Sequence, residues 1–364
     1  MTRTLNDYWL PLQEELASEG DFEAQLNVLR RFTRDRQADI RNRDLAGNLS
    51  LQNLFLELSL LAEAVLKGSE HVAREELGRR DEVGHGAFGI VAMGKFGGEE
   101  LTYHSDLDVI FFYEDPRDQE FAARLATRII TALSLLTQDG YAYRIDAALR
   151  PSGNSGALVS SLDSFRDYHR NVGRTWERQA LIKARPVIGA PPFLEKLQAA
   201  VVEIVYRDYD AKAVAGEIDR LRGRMEKELA KERPGRYNLK TGRGGIVDIE
   251  FATQYLQLIH GAKHPNLRTT NTISALSSLA LEEILPSSLA QALTKDYLFY
   301  RELETRLRLL LDQPTDELWE STEIGARLSK EFFGGRSLFD ELRRARDETR
   351  AIYAEIFKNG RSGD

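Results

Sequence analysis

Two aspartates ahead of an apolar run are the first residues here whose type and spacing could do chemistry. Asp106 and Asp108 lie two apart in Ser105-Asp106-Leu107-Asp108, which leads into the apolar residues 109–113. Alternate side chains of a strand share a face, so both carboxylates are expected on one face and Leu107 in the core. Hard carboxylate oxygens suit Mg²⁺, which is held by a few carboxylates together with substrate phosphates.

A third carboxylate follows in residues 141–149, which are expected to form a strand that ends at Pro151. On that strand Asp146 would share a polar face with Arg144 and Arg150. Converging carboxylates raise one another's pKa unless a cation or arginines balance them. The alternative for these acids is a solvated loop for Asp106 and a capping or paired role for Asp146.

A glycine-rich turn precedes the first two acids. Gly94, Gly97 and Gly98 let the backbone approach phosphates, and Ser105 adds a hydroxyl. The alternative for these glycines is a tight turn alone. The turn at this distance from the acids predicts a nucleotidyl-transfer site, with a loop for phosphates and Asp106 among three carboxylates for metal.

Two other phosphate-binding patterns overlap this region and are rejected. Residues 84–89 match GxGxxG, but a charged segment precedes them and a strand follows, the reverse of the dinucleotide-binding context. Residues 89–95 match GxxxxGK, but the four intervening residues are expected to be buried strand. Phe96 also replaces the Ser or Thr that this loop needs for metal.

The elements that would position these residues are mainly helices. Apolar spacing of three and four predicts helices in residues 1–80, in 120–138 and from 191 nearly to the end. With short strands between them, the fold class is predicted as α+β, mostly helical, with a small mixed β-sheet core flanked by N-terminal helices and a C-terminal helical bundle. The expected domains are an N-terminal helical segment 1–80, a nucleotidyltransferase core 81–190 and a C-terminal helical domain 191–364.

Composition narrows the function class further. The chain has 364 residues, is 42% hydrophobic and 29% charged, and has no cysteine, which excludes disulfides and thiolate zinc sites. No apolar run approaches the ~20 residues of a membrane span, and the first residues lack the apolar core of a signal peptide. A cytoplasmic protein is expected. The net charge of −7 argues against a nucleic-acid partner.

The strand, Gly-Gly, Ser-Asp-Leu-Asp, strand arrangement resembles the nucleotidyltransferase superfamily of DNA polymerase beta. Four longer segments resemble glutamine synthetase adenylyltransferases, and they extend from about Leu51 to the C-terminal helices. These segments are GKFGGEELTYHSDLDVIFFY, RIDAALRPSGNSGALVSSLDSFRDYH, TWERQALIKAR and NLKTGRGGIVDIEFATQYLQL.

Proteins of the glutamine synthetase adenylyltransferase family usually carry two catalytic halves, one attaching AMP to a tyrosine of glutamine synthetase and one removing it by phosphorolysis. This chain contains one half, and DAALRPSG, TWERQA and VDIEF look more like the adenylylating, C-terminal half.

The resemblance implies ATP as substrate, Mg²⁺ as cofactor, glutamine synthetase as protein substrate, PII signalling protein as partner and glutamine as effector. It carries over Asp106, Asp108 and Asp146 as catalytic residues and metal ligands. The candidate nucleotide-binding residues are Gly94, Lys95, Gly97, Gly98, Ser105, Arg144, Arg150, Lys183, Arg185, Lys240, Arg243 and Gly244. The alternative is a surface ion pair for four of these residues, Lys183, Arg185, Lys240 and Arg243.

One position departs from the family pattern, which reads Asp-x-Arg-Leu-Arg-Pro. Ala148 replaces the first arginine, at a position that strand alternation would place on the face of Asp146. Arg144 or Arg150 would then compensate, or activity would be reduced.

A second glycine-rich turn, Gly242-Arg243-Gly244-Gly245, leads into a helix that is expected to begin near Ile246. Free N–H groups and the helix dipole make such a terminus an anion site. The alternative is a capped helix whose polar stripe, Glu250, Gln254 and Gln257, forms buried polar pairs.

The expected activity is Mg²⁺-dependent transfer of AMP from ATP to a tyrosine of glutamine synthetase, with release of pyrophosphate. Two alternatives stay open. One is phosphorolytic removal of AMP from adenylylated glutamine synthetase. The other is a degenerate regulatory module that binds PII, to which Ala148 lends weight and the three aspartates do not.

Overall fold

The structure is a computed structural model that describes residues 3–78, 87–334 and 337–362. Its helices are α1 Asn6–Ala17, α2 Phe22–Leu45, α3 Leu51–Gly78, α4 Gly94–Gly97, α5 Gln119–Ser134, α6 Leu162–Asn171, α7 Thr175–Ala180, α8 Pro191–Val205, α9 Ala211–Met225, α10 Ile246–His260, α11 Thr272–Leu281, α12 Ser287–Leu311, α13 Glu323–Phe332 and α14 Leu338–Ser362. Its strands are β1 Phe88–Ala92, β2 Leu107–Tyr113, β3 Ile145–Asp146, β4 Val159–Ser161, β5 Arg185–Ile188, β6 Arg236–Asn238 and β7 Glu317–Trp319. The predicted fold class, α+β and mostly helical, is confirmed.

The chain divides into two compact units. The first unit comprises Met1–Arg174 and Lys183–Ile204, and the second comprises Thr175–Ile182 and Val205–Asp364. The expected division at residues 80 and 190 stays a prediction, and its first boundary lies outside the described residues. Half of the GxGxxG match at 84–89, residues 84–86, also lies outside the described residues. No helix in the described ranges is long and apolar enough to cross a membrane.

The first unit contains a small mixed sheet with strand order β3-β2-β1-β5, and β4 also pairs with β2. β1 runs antiparallel to β2 and to β5, whereas β3 and β4 run parallel to β2. β1 is buried throughout, and β2 is buried except at Asp108. Near-continuous apolar sequence is typical of strands covered on both faces. The helices α1, α2 and α3 precede this sheet, and their buried apolar residues include Leu12, Leu29 and Leu61.

Two predicted boundaries in the first unit are wrong. The strand expected over 141–149 is only β3. Before it, the Ala142 and Tyr143 amides donate to the Leu133 carbonyl instead of a strand, and after it the Asp146 side chain accepts a hydrogen bond from the Ala148 amide. The helix expected over 120–138 ends at Ser134, and Leu136 is 73% exposed rather than on the buried face.

The second unit is helical, with β6 and β7 forming a two-stranded antiparallel sheet. The apolar stripes predicted for α12 and α14 are largely buried. The sequence spacing of Val214, Ile218, Leu221 and Met225 predicts one apolar stripe that continues to Leu229, but Leu229 is 55% exposed. Glu226–Ala230 is a π-helical turn, and its wider period rotates Leu229 outwards and buries Ala230.

Candidate active site

Two acidic residues lie side by side on the parallel strands β2 and β3. The register pairs Asp108 with Asp146, and Asp106 comes directly before β2. Asp108 is half-buried, whereas Asp106 and Asp146 are exposed. The fold therefore brings Asp108 and Asp146 to neighbouring positions, with Asp106 where the first of these strands begins.

Asp146 is held by a local contact. Its Oδ1 accepts a hydrogen bond of 2.7 Å from the Ala148 amide, which is the capping role considered for it from the sequence. Because the strand ends at Asp146, alternation no longer places Ala148 on the same face. The missing family arginine therefore falls in a turn rather than on the strand.

The donor set suits Mg²⁺, because carboxylate oxygens are the ligands that this ion prefers. Among the described residues, however, no group of three or more His, Cys, Asp or Glu side chains lies close enough to hold a metal ion. The backbone gathers the acids at one edge of the sheet. Convergence of Asp106, Asp108 and Asp146 on one cation stays a prediction.

The glycine-rich turn is a single helical turn, α4, which lies against the acidic edge. Gly94 has φ of +53°, and a Cβ at this position would overlap Asp108 Oδ2. A Cβ at Gly97 would overlap the Lys183 carbonyl oxygen and lie 2.7 Å from that of Ala92. These glycines therefore permit close approach at both ends of α4, which a tight turn alone would not require.

Lys183 and Arg185 were predicted to contact phosphate, with a surface ion pair as the alternative. Lys183 is 5% exposed and pairs with Glu100, which is 2% exposed. Arg185 Nη1 donates to Glu63 Oε2 at 2.7 Å, and its Nε donates to the Gly97 carbonyl at 3.2 Å. Both cations thus form ion pairs with buried acids beside α4. A nucleotide contact by either one stays a prediction.

Sequence reasoning missed these two buried acids. Glu63 lies in the apolar stretch Leu-Ala-Glu-Ala-Val of α3, so its position within a buried segment was the available signal. Glu100 gives no comparable signal, because its partner Lys183 is 83 residues further along the chain.

The remaining candidates of the first unit make local contacts. Arg150 Nη1 donates to the Ala147 carbonyl at 2.6 Å, and its Nε donates to the Gly156 carbonyl at 3.3 Å, so Arg150 braces the turn after β3.

Ser105 Oγ accepts from the Thr102 amide at 3.1 Å. In the same unit, Arg144 is exposed over the Tyr141 ring, and Lys95 is half-buried in α4. Their contacts with nucleotide, and that of Gly98, stay predictions.

The second glycine-rich turn belongs to the second unit, and a side chain of the helix that follows it, α10, binds one of its amides. The Gly244 amide donates to Asp248 Oδ2 at 2.7 Å, and a Cβ at Gly244 would overlap the Arg346 carbonyl oxygen. Lys240 and Arg243 are exposed, as an anion site would need. A nucleotide contact by Lys240, Arg243 or Gly244 stays a prediction.

The polar stripe of α10 forms the buried pairs considered for it from the sequence. Gln257 Nε2 donates to the Leu267 carbonyl at 2.7 Å, and Gln254 Oε1 accepts from Gln179 at 2.9 Å. The stripe therefore satisfies its hydrogen bonds within the second unit.

Comparison with known families agrees with this geometry. The family model of glutamate-ammonia ligase adenylyltransferase matches residues 2–200, more than half of the chain. The model described as GlnD PII-uridylyltransferase matches residues 212–357. The first match includes the whole mixed sheet and all three aspartates, and its members are nucleotidyltransferases that act on glutamine synthetase. The chain is therefore an enzyme that belongs to the glutamate-ammonia ligase adenylyltransferase family.

Proposed function

We propose that this chain transfers AMP from ATP to a tyrosine of glutamine synthetase and releases pyrophosphate. The observation that supports this most is the register of Asp108 with Asp146, together with a glycine that closes directly on the Asp108 carboxylate. This arrangement lies within the part of the chain that matches the adenylyltransferase family.

Asp106, Asp108 and Asp146 would hold Mg²⁺, which when bound neutralises charge on the triphosphate. The phosphates of ATP would lie over residues 94–98, where glycines leave the backbone open to close approach, and near the Ser105 hydroxyl. The family match supports ATP as the substrate.

In the proposed reaction the tyrosine oxygen attacks the α-phosphorus, a new P–O bond forms, and the bond to pyrophosphate breaks. A free tyrosine has a pKa of about 10, so its proton needs an acceptor near neutral pH. Asp146 is suited to this role because one carboxylate oxygen is fixed by the Ala148 amide while the side chain remains exposed.

We also propose PII signalling protein as a partner, with glutamine as an effector. The match of residues 212–357 to GlnD PII-uridylyltransferase supports a role of the second unit in that response. A cytoplasmic location, expected from the sequence, belongs to the same proposal.

The direction of the reaction is tested by its products. The protein is incubated with α-labelled ATP, Mg²⁺ and glutamine synthetase, with and without PII, and separately with adenylylated glutamine synthetase and phosphate. We expect label on glutamine synthetase and pyrophosphate in solution. ADP from the modified protein without label transfer would establish AMP removal instead, and neither product would indicate a regulatory module.

A further inference from the structure

Arg185 holds the C-terminal end of α4. Its Nε donates to the Gly97 carbonyl at 3.2 Å, and its Nη2 donates to the Phe96 carbonyl at 3.5 Å. The last carbonyls of a helix have no partner within that helix, and a cation is favourable there. Arg185 therefore fixes where α4 ends.

Glu63 of α3 fixes Arg185 in turn. Its Oε2 accepts from Arg185 Nη1 at 2.7 Å, and Glu63 is 8% exposed. A guanidinium has several donors in one plane, so Arg185 can bind this carboxylate and the carbonyls of α4 together. The long helix α3 thus anchors the arginine that ends α4.

α4 connects this anchor to the acidic edge. Gly97 packs against the Lys183 carbonyl at one end, and Gly94 packs against the Asp108 carboxylate at the other. The Met93 amide, directly before α4, also donates to the Asp108 carbonyl at 2.8 Å. Four helical residues span only about 6 Å, so a shift of Gly97 displaces Gly94 from Asp108.

We propose that Arg185 and Glu63 are a positioning pair that sets the place of the Asp108 carboxylate through α4. Arg185 then acts through the Gly97 carbonyl rather than by touching nucleotide. The proposal rests on the role of Asp108 in the proposed function. Groups that orient metal ligands commonly change metal affinity or activity about 10- to 100-fold when they are removed.

The chain offers a matched control for this pair. Glu76, 7% exposed on the same helix α3, pairs with Arg128 of α5 at 3.4 Å. The variants Glu63→Gln and Arg185→Gln are compared with Glu76→Gln and Arg128→Gln. Each is examined for the dissociation constant of Mn²⁺ by electron paramagnetic resonance, for Tm, and for kcat and KM of AMP transfer.

We expect Glu63→Gln and Arg185→Gln to weaken Mn²⁺ binding about 10-fold or more and to lower kcat. The two controls should change Mn²⁺ binding less than about twofold, even where they lower Tm equally. The double variant Glu63→Gln/Arg185→Gln should lose no more than the worse single variant, because both act through one contact. Arg185→Lys keeps the charge but lacks the planar set of guanidinium donors, so its Mn²⁺ affinity should lie between those of wild type and Arg185→Gln.

Wild-type Mn²⁺ affinity in Glu63→Gln and in Arg185→Gln would overturn the proposal, as would equal losses in the controls or a wild-type protein that binds no Mn²⁺. If the Mn²⁺ pattern holds but the wild type transfers no AMP, the proposed function fails and the positioning pair stands. If the wild type transfers AMP and these variants behave as their controls, only the positioning pair fails.

Discussion

Two glycine-rich turns of this chain each close on an aspartate, one in each compact unit, and they differ in what surrounds the carboxylate. In the first unit Gly94 packs against Asp108, which is half-buried on a strand. In the second unit Gly244 donates its amide to Asp248, which is fully buried and paired with Arg222.

The difference separates a structural acid from candidate catalytic ones. Asp248 also pairs with Arg350 at 3.3 Å, so Arg222 and Arg350 together offset the free-energy cost of burying the Asp248 charge. Asp106 and Asp146, near the first turn, remain exposed. The sequence motif is similar in both turns, and burial and charge partners decide which acids can meet a metal or a proton.

The largest effect is expected at the exposed edge. Asp146→Asn keeps an oxygen for the Ala148 amide but loses the charge, so the turn should survive. Losing several kcal/mol of charge stabilisation corresponds to a decrease in AMP transfer of about 10³-fold. Steady-state assays with a Tm measurement check this. More than a tenth of wild-type activity would remove Asp146 from the mechanism.

A substitution at the buried turn of the second unit should lower the stability of the protein rather than act directly on AMP transfer. Asp248→Asn removes the fully buried charge partner of Arg222 and leaves it with the half-buried Glu226 at 3.6 Å, which costs about 3–5 kcal/mol in the free energy of unfolding. The matched control Asp347→Asn removes only an exposed partner of Arg243 and should cost less than about 1 kcal/mol. Urea denaturation measures both variants. A stable Asp248→Asn protein that has lost AMP transfer would contradict the contrast between the turns.

Gly94→Ala tests the close approach itself. Its Cβ would overlap the Asp108 carboxylate, whereas Gly140, also at positive φ, has nothing within 4 Å of a Cβ. Both alanine variants carry a backbone cost of about 1–2 kcal/mol. Only Gly94→Ala should lose AMP transfer, by about 10-fold or more, since only it displaces Asp108, the proposed metal ligand. Equal activity in the two variants would show that the contact with Asp108 is unimportant.

The smallest effect is expected at the position where the chain departs from its family. Ala148→Arg adds a guanidinium to the turn after β3 and should raise AMP transfer about 2- to 5-fold, the size of one exposed charge contact. The measurement is KM for ATP alongside kcat. An unchanged KM would mean that Arg144 or Arg150 already compensates.

Periodicity predicts the long helices of this chain well, because each buries one stripe of regularly spaced apolar residues. α12 and α14 follow that rule. Periodicity fails where a local contact overrides it. The Asp146 side chain ends β3 early, and the π-helical turn after α9 exposes Leu229.

The candidate site shows the same limit. The order of glycines and acids indicates the chemistry, and the family resemblance stated from the sequence is confirmed. The sequence does not show which cations are already paired. Arg185 meets Glu63 across 122 residues, and no local pattern carries that information.

The most direct test of the central claim, that the acidic edge of β2 and β3 carries out AMP transfer, is labelling of glutamine synthetase by wild type and by Asp106→Asn/Asp108→Asn. Both proteins receive the same α-labelled ATP and Mg²⁺, and Tm is measured for each. We expect label with the wild type and none with the double variant at an unchanged Tm. Label retained by the folded double variant would contradict the assignment of this edge as the active site.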